Sequence, residues 1–421
     1  MSKAFVWLCG LLLCLVSVAH AASVASTDWP QWRGPNRDDV STETGLLKQW
    51  PAGGPKLLWK AEGVGAGFSS VSIAGDKIFT MGDVEGSSQL LCLNLKDGSN
   101  VWKLKVGKPA GGGGYPGTRC TPTVDGALVY AMSQYGDIVC ADSTTGKEVW
   151  RKEMAKDFGG QMMSGWGYSE SPLIDGALFI CTPGGPKGAL VALNKKTGEL
   201  AWRSTDVSDH AAYSSPIAVD INGVHQIIQL TDANVFAVAA DSGKLLWKAA
   251  RAGKTAVIPT PVYFDNHVYV ASGYGVGCND FKISFAGGKF SAEQVYANTD
   301  MVNHHGGIAR IGDFVYGHSD KGGWTCMEMK TGKVKWQNRT VGKGALTIAD
   351  GMLYLRSEGG GKDNACIIAL VEVNPEAYKE TGRFEQPNRS GKQSWPHPVV
   401  SGGKLYIRDQ DVLLCYDIKA K

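Results

Sequence analysis

The chain lacks the short motifs that mark most common chemistries. No C-x-x-C occurs, which removes zinc ribbons and thioredoxin-type redox pairs. No C-x-x-C-H occurs, so there is no attachment point for a c-type haem. No H-E-x-x-H and no G-x-S-x-G occurs, and AGKT at 252–255 has Lys248 where a phosphate-binding loop needs its first glycine. Adjacent cysteines are also absent. Charge is nearly balanced, at +3 over 421 residues with no concentrated basic stretch, which argues against nucleic acid or an anionic membrane as partner. The apolar run Phe5 to Val18 is shorter than the ~20 residues of a spanning helix, and no other segment could cross a bilayer as a helix.

That run has Lys3 before it and Ala19-His20-Ala21 after it, the pattern of a secretory signal covering residues 1–21. Residue 13, before Cys14, is Leu, where a lipoprotein signal wants a small side chain, so a soluble periplasmic or secreted protein is expected. Cys9 and Cys14 would leave with the signal. Of the rest, Cys92, Cys140, Cys326 and Cys415 share one position of a repeating pattern, and Ala192 and Ala237 fill it elsewhere. A slot that takes Cys or Ala is a small buried packing site, so free structural thiols are expected.

What the chain does have is one sentence written about eight times. A clear copy is CTPTVDGALVYAMSQYGDIVCADSTTGKEVW, ending at Trp150, and others end at Trp102, Trp202, Trp247 and Trp336. Each reads as strand, turn, strand, turn, strand, a D-x-x-T-G-K turn, and a strand carrying Trp. Four short strands in a unit of roughly 40–50 residues are the signature of a β-propeller blade. Weaker units end near Tyr296 and Phe384 and make eight blades, or seven if one of them is an insertion. LLWKAE, 57–62, has no blade before it, and the last unit, 395–417, lacks its Trp strand. The two defects fit together: the N-terminal strand completes the C-terminal blade, and closure removes exposed sheet edges. The expected organisation is a signal at 1–21, a Trp- and Pro-rich strap at 22–56 and a propeller at 57–421.

The motif A-x-D-x-x-T-G-K-x-x-W, as in CADSTTGKEVW and VALNKKTGELAW, resembles the pyrroloquinoline-quinone (PQQ) repeat. The resemblance covers residues 57–421 and implies an all-β, eight-bladed propeller. Two kinds of protein share that repeat: quinoprotein alcohol dehydrogenases and the non-enzymatic envelope protein BamB. WPQWRGP, WGYSESP, NHHGG and LYIRDQD also resemble exported propellers of planctomycete-type bacteria, often labelled alcohol or polyvinyl-alcohol dehydrogenases. The dehydrogenases typically carry a vicinal disulfide, a haem module or partner, and calcium. This chain has no adjacent cysteines and no haem motif, and the calcium ligands cannot be matched residue by residue.

Aligning the units on the Pro of T-P, S-P or H-P gives rings of matching positions near the channel mouth. One layer is Phe68, Arg119, Ser169, Tyr213, Ile258, His304, Lys343 and Trp395; the next is Ser69, Cys120, Glu170, Ser214, Pro259, His305, Gly344 and Pro396, with Asn303 and His397 beside them. These layers vary more than the strands behind them. The candidates for an anionic ligand or metal are Arg119, Glu170, Lys343, His304 and His305. Gly165-Trp166-Gly167-Tyr168 could place an aromatic over a flat cofactor, with Tyr168 the named candidate, and Tyr213, Asn303 and Trp395 complete the set. Solvated or paired charges, packing aromatics and a hydrogen-bonding His pair are the plainer readings. Neighbours on a strand point to opposite faces, so His304 and His305 are not expected to share an ion.

The reading favoured is a non-catalytic binding scaffold of the cell envelope, holding a protein, peptide or glycan. The alternative implied by the resemblance is a PQQ- and Ca²⁺-dependent alcohol dehydrogenase. There Glu170 and Asn303 would hold calcium, Arg119 or Lys343 would contact the quinone, and a carboxylate would act as base.

Overall fold

The computed structural model describes Met1 and residues 27–110, 115–359 and 365–421; the signal expected at 1–21 lies outside them save for Met1. Eight antiparallel four-stranded blades form the ring, seven of them with their strands in sequence order from channel to rim. Blades one to seven span 72–107, 123–153, 173–203, 217–250, 262–298, 308–338 and 344–385. Blade eight takes its three inner strands from 399–417 and its outer strand from Lys56–Glu62, with Trp59 opposite Cys415. Both weak repeats are therefore true blades, and the ring closes as its terminal defects required. Among the described residues the only helix is Met154–Phe158.

The repeat has a packing reason. The Trp on an outer strand lies under the turn glycine of the next blade: a Cβ on Gly146 would meet Trp102 at 2.6 Å, one on Gly198 would meet Trp150 at 2.9 Å, and one on Gly243 would meet Trp202 at 2.4 Å. Those glycines have φ of 71–72°, which also favours glycine. The same indoles donate across the blade boundary, Trp150 to Lys195 O and Trp202 to Ala240 O, both at 2.9 Å. Gly54 does this for Phe384 at the closing seam, although the chain is discontinuous there. Cys92, Cys140, Cys326 and Cys415 each sit opposite the aromatic of the outer strand, as Ala192 and Ala237 do. All eight described cysteines are free and buried, and desolvation pushes the thiols of Cys92, Cys140 and Cys415 up to about 12.

Residues 27–50 cross the ring at one end of the channel. Val124 donates to Pro30 O, Arg37 to Ser171 O and Pro172 O, Arg33 to Ile308 O, and Ile348 to Asp39 O. Arg33 and Asp39 form a fully buried ion pair at 2.7 Å. Asp39 also receives His397 Nδ1 at 3.1 Å, and Trp32 packs on the His397 ring at 4.4 Å. Val40–Ser41 adds a short parallel strand to blade seven. The far end of the channel is thereby closed, and Trp32 becomes its floor.

Candidate functional site

Above that floor lies a cavity of about 230 Å³. All eight residues of the first layer line it: Phe68, Arg119, Ser169, Tyr213, Ile258, His304, Lys343 and Trp395. The segment leading into each innermost strand enters the channel in the same register, so one position per blade faces the axis. The following position mostly turns back into the blade. Glu170 shows this clearly. It is 1% exposed, and both its carboxylate oxygens accept the Thr182 N–H at 3.1 Å. His305 is the exception in that layer and lines the cavity.

Of the nine candidates, Arg119, Tyr213, His304, His305, Lys343 and Trp395 meet in the cavity, while Tyr168, Glu170 and Asn303 lie behind it. Tyr168 is buried in the core of blades two and three, donating to Pro183 O at 3.0 Å; of the Gly165–Tyr168 segment it is Trp166 that faces the cavity. Asn303 Nδ2 donates to Gly307 O and His318 O within blade six. Its Oδ1 has no partner, but Glu170 stands three blades away and faces Thr182. The pair expected to hold calcium is thus not brought together.

The expectation for His304 and His305 also needs correction. The pair lies ahead of the strand Ile308–Ile311, so strand alternation does not apply, and the rings stack at 3.7 Å. Trp395 stacks on His305 at 4.0 Å and Phe68 on Trp395 at 4.0 Å, giving a pile of four rings along one wall. Lys343 Nζ donates to His304 Nδ1 at 2.7 Å and pairs with Asp320 at 3.0 Å. Burial, with His305 and Lys343 beside it, takes His304 down to about 3, and burial takes His305 well below its ordinary value. Both rings are neutral at physiological pH. Burial raises the Glu358 carboxyl, opposed by Lys343 and His318.

Several lining residues were not anticipated. Tyr115, Tyr274, Glu358 and Gln393 come from loops outside the repeat register. Ser171 and Ser215 precede the very prolines used for alignment. Their hydroxyls, with that of Thr121, form a chain from blade to blade: Ser70 N–H donates to Thr121 Oγ1, Thr121 N–H to Ser171 Oγ and Ser171 N–H to Ser215 Oγ, at 2.9–3.1 Å. A hydroxyl before proline in unit after unit was the signal for it.

Residues 87–338, more than half of the chain, match the model of the PQQ-like family described as outer membrane protein assembly factor BamB. The chain belongs to that family. The BamB of Shewanella oneidensis is 26% identical over 359 residues, covering 73% of this chain and 85% of that protein. Among solved structures, BamB from Moraxella catarrhalis superposes with a TM-score of 0.61 at 15% identity, over 84% of this chain and 95% of that one. The quinohemoprotein alcohol dehydrogenase of Comamonas testosteroni gives 0.64 at 12% identity, over 95% and 82%. At these identities the structures share the fold, and activity has to be argued from the site.

For this BamB-family propeller the site does not fit the quinoprotein cofactor. Calcium takes six to eight oxygen ligands, and among the described residues the cavity lining holds one carboxylate, Glu358. Among the described residues no three of His, Cys, Asp and Glu group as metal ligands. The faces of Trp395 and His305 are already covered by neighbouring rings. Calorimetric titration of the mature protein with PQQ and Ca²⁺ is expected to give no binding heat, and dye-linked alcohol oxidation no rate above background. Turnover would replace this assignment with the quinoprotein one.

Proposed function

We propose that this protein is an exported, non-catalytic binding propeller of the cell envelope, periplasmic or secreted, that holds a partner at the mouth of its central cavity. The observation that carries this reading is the convergence of the variable positions of all eight repeats on one blind cavity, with Tyr115 and Tyr274 still 37% and 45% exposed at it. Large exposed aromatics at the edge of a pocket are typical binding anchors. The groups suited to proton or group transfer are committed elsewhere: Lys343 to Asp320 and His304, and Glu358 to the surroundings of Lys343 and His305. A family named for outer membrane protein assembly supports an envelope setting. Among the described residues no helix is long and apolar enough to cross a membrane.

Photo-crosslinking in living cells tests the reading. A benzoylphenylalanine at position 115 or 274 is expected to give a discrete adduct. The same probe at Val101 or Val149, exposed on outer strands, is expected to give none. Adducts confined to the outer strands, or none at the mouth, would move the binding surface away from the cavity.

A further inference from the structure

We propose that the cavity receives the acidic end residue of a glycan, a sugar ring bearing a carboxylate or a sulfate ester. This rests on the binding reading above and names what the mouth holds.

The walls offer donors. Trp395 lies between Phe68 and His305, and His305 between Trp395 and His304. The two inner rings therefore present their edges to the cavity, and an aromatic edge is the positive part of its quadrupole. Trp395 Nε1 and His305 Nδ1 are buried there without a well-formed hydrogen bond among the described residues; Glu358 stands beside both, its Oε2 3.4 Å from His305 Nδ1. On the floor, the hydroxyl oxygens of Ser171 and Ser215 accept N–H groups from neighbouring blades. Their own O–H groups are left to donate.

The charge has the matching sign. Arg119 spends its guanidinium on two backbone carbonyls, Trp166 O and Tyr115 O, the latter at 3.0 Å. None of the ion pairs among the described residues includes it, whereas Lys343 is balanced by Asp320. Arg119 is half-buried, and a partly desolvated cation without a counter-ion is favoured by an anion that enters. Among the described residues Glu358 is the one carboxyl on the lining, and beside His305 Nδ1 it keeps lone pairs to accept from a sugar hydroxyl.

Size and shape select a ring at a chain end. The volume of about 230 Å³ is below the roughly 300–1,000 Å³ of sites for drug-sized ligands. Trp32 blocks the far side, so a polymer cannot thread through. At the mouth, Tyr115, Trp166 and Tyr274 offer aromatic surface to the apolar face of the next sugar.

The test is calorimetry on the mature protein with four probes: trigalacturonate, a sulfated disaccharide, maltotriose and cinnamate. One or both acidic sugars are expected to bind, and which of them binds identifies the acid. Maltotriose and cinnamate are expected to bind at least tenfold more weakly, lacking the charge and the hydroxyls respectively. Arg119→Ala is expected to weaken acidic-sugar binding at least tenfold. Trp395→Phe keeps the ring, removes only the N–H and is expected to weaken it several-fold. Unfolding midpoints of both variants serve as the check on folding. Binding of maltotriose or cinnamate equal to that of the acidic sugars overturns the proposal. So does acidic-sugar binding that Trp395→Phe and a folded Arg119→Ala leave unchanged, or no binding by any probe. If crosslinks form at positions 115 and 274 while every probe fails, the mouth still binds a partner and only the sugar assignment falls.

Discussion

Arg408→Ala is expected to destabilise the folded protein by about 4–6 kcal/mol, read as a lower urea midpoint at unchanged slope. Arg408 is fully buried on the second strand of blade eight, Lys404–Asp409. Its guanidinium donates to Ser69 O, Thr80 Oγ1 and Met81 O of blade one and the segment leading into it, to Val64 O and Gly65 O before that, and to Gln410 O. These groups flank the seam where the two ends of the chain meet. Burial lowers the guanidinium to about 10, and Asp411, Asp83 and Asp409 act in the other direction, so it stays charged at neutral pH. Removing it leaves several carbonyls buried without a donor, each costing roughly 1–3 kcal/mol before water relieves some of them. Arg408→Lys is expected to recover less than half, because an ammonium has three donors and no planar fork. A loss below about 1 kcal/mol would mean that strand Lys56–Glu62 holds the seam without the guanidinium.

The ring was legible because its cause is local and repeated. Turn glycine, outer Trp and small third-strand residue are three sides of one contact between successive blades, so each repeat carries the whole instruction. The first cavity layer was legible for the same reason: all blades enter the channel in one register, and eight aligned positions became eight lining residues. Reading failed where that register ends. Glu170 stands one residue past a lining position, ahead of the strand Leu173–Asp175, and its carboxylate is drawn into the blade by the Thr182 N–H. His305 stands at the equivalent place ahead of Ile308–Ile311 and faces the cavity, its ring held in the stack between His304 and Trp395. Tyr115, Tyr274 and Glu358 sit in loops that no repeat aligns. Arg408 was visible in LYIRDQD, but most of its partners lie at the other end of the chain, and sequence distance concealed the latch.

Glu170→Gln separates a structural carboxyl from a ligand-binding one by its pH dependence. Desolvation raises Glu170 to about 8, against Thr182 and Arg37, which lower it. The buried thiols Cys120 and Cys181 and the Tyr168 phenol also feel its charge. In the unfolded chain a glutamate titrates near 4.3. Below that pH both states hold the proton, and the group contributes nothing to stability. Between roughly 4.3 and 8 only the folded state keeps it, so stability falls with rising pH by about 1.4 kcal/mol per unit. Above 8 both states are ionised, and the full penalty, on the order of 3–5 kcal/mol, stands. Glutamine has the same shape and no charge to desolvate. The variant is therefore expected to match the wild type near pH 4 and to exceed it by a few kcal/mol at pH 8, with binding at the cavity unchanged. A variant less stable than the wild type at pH 8 would show that the ionised carboxylate is wanted there, by Arg37 or by a ligand reaching behind the first layer.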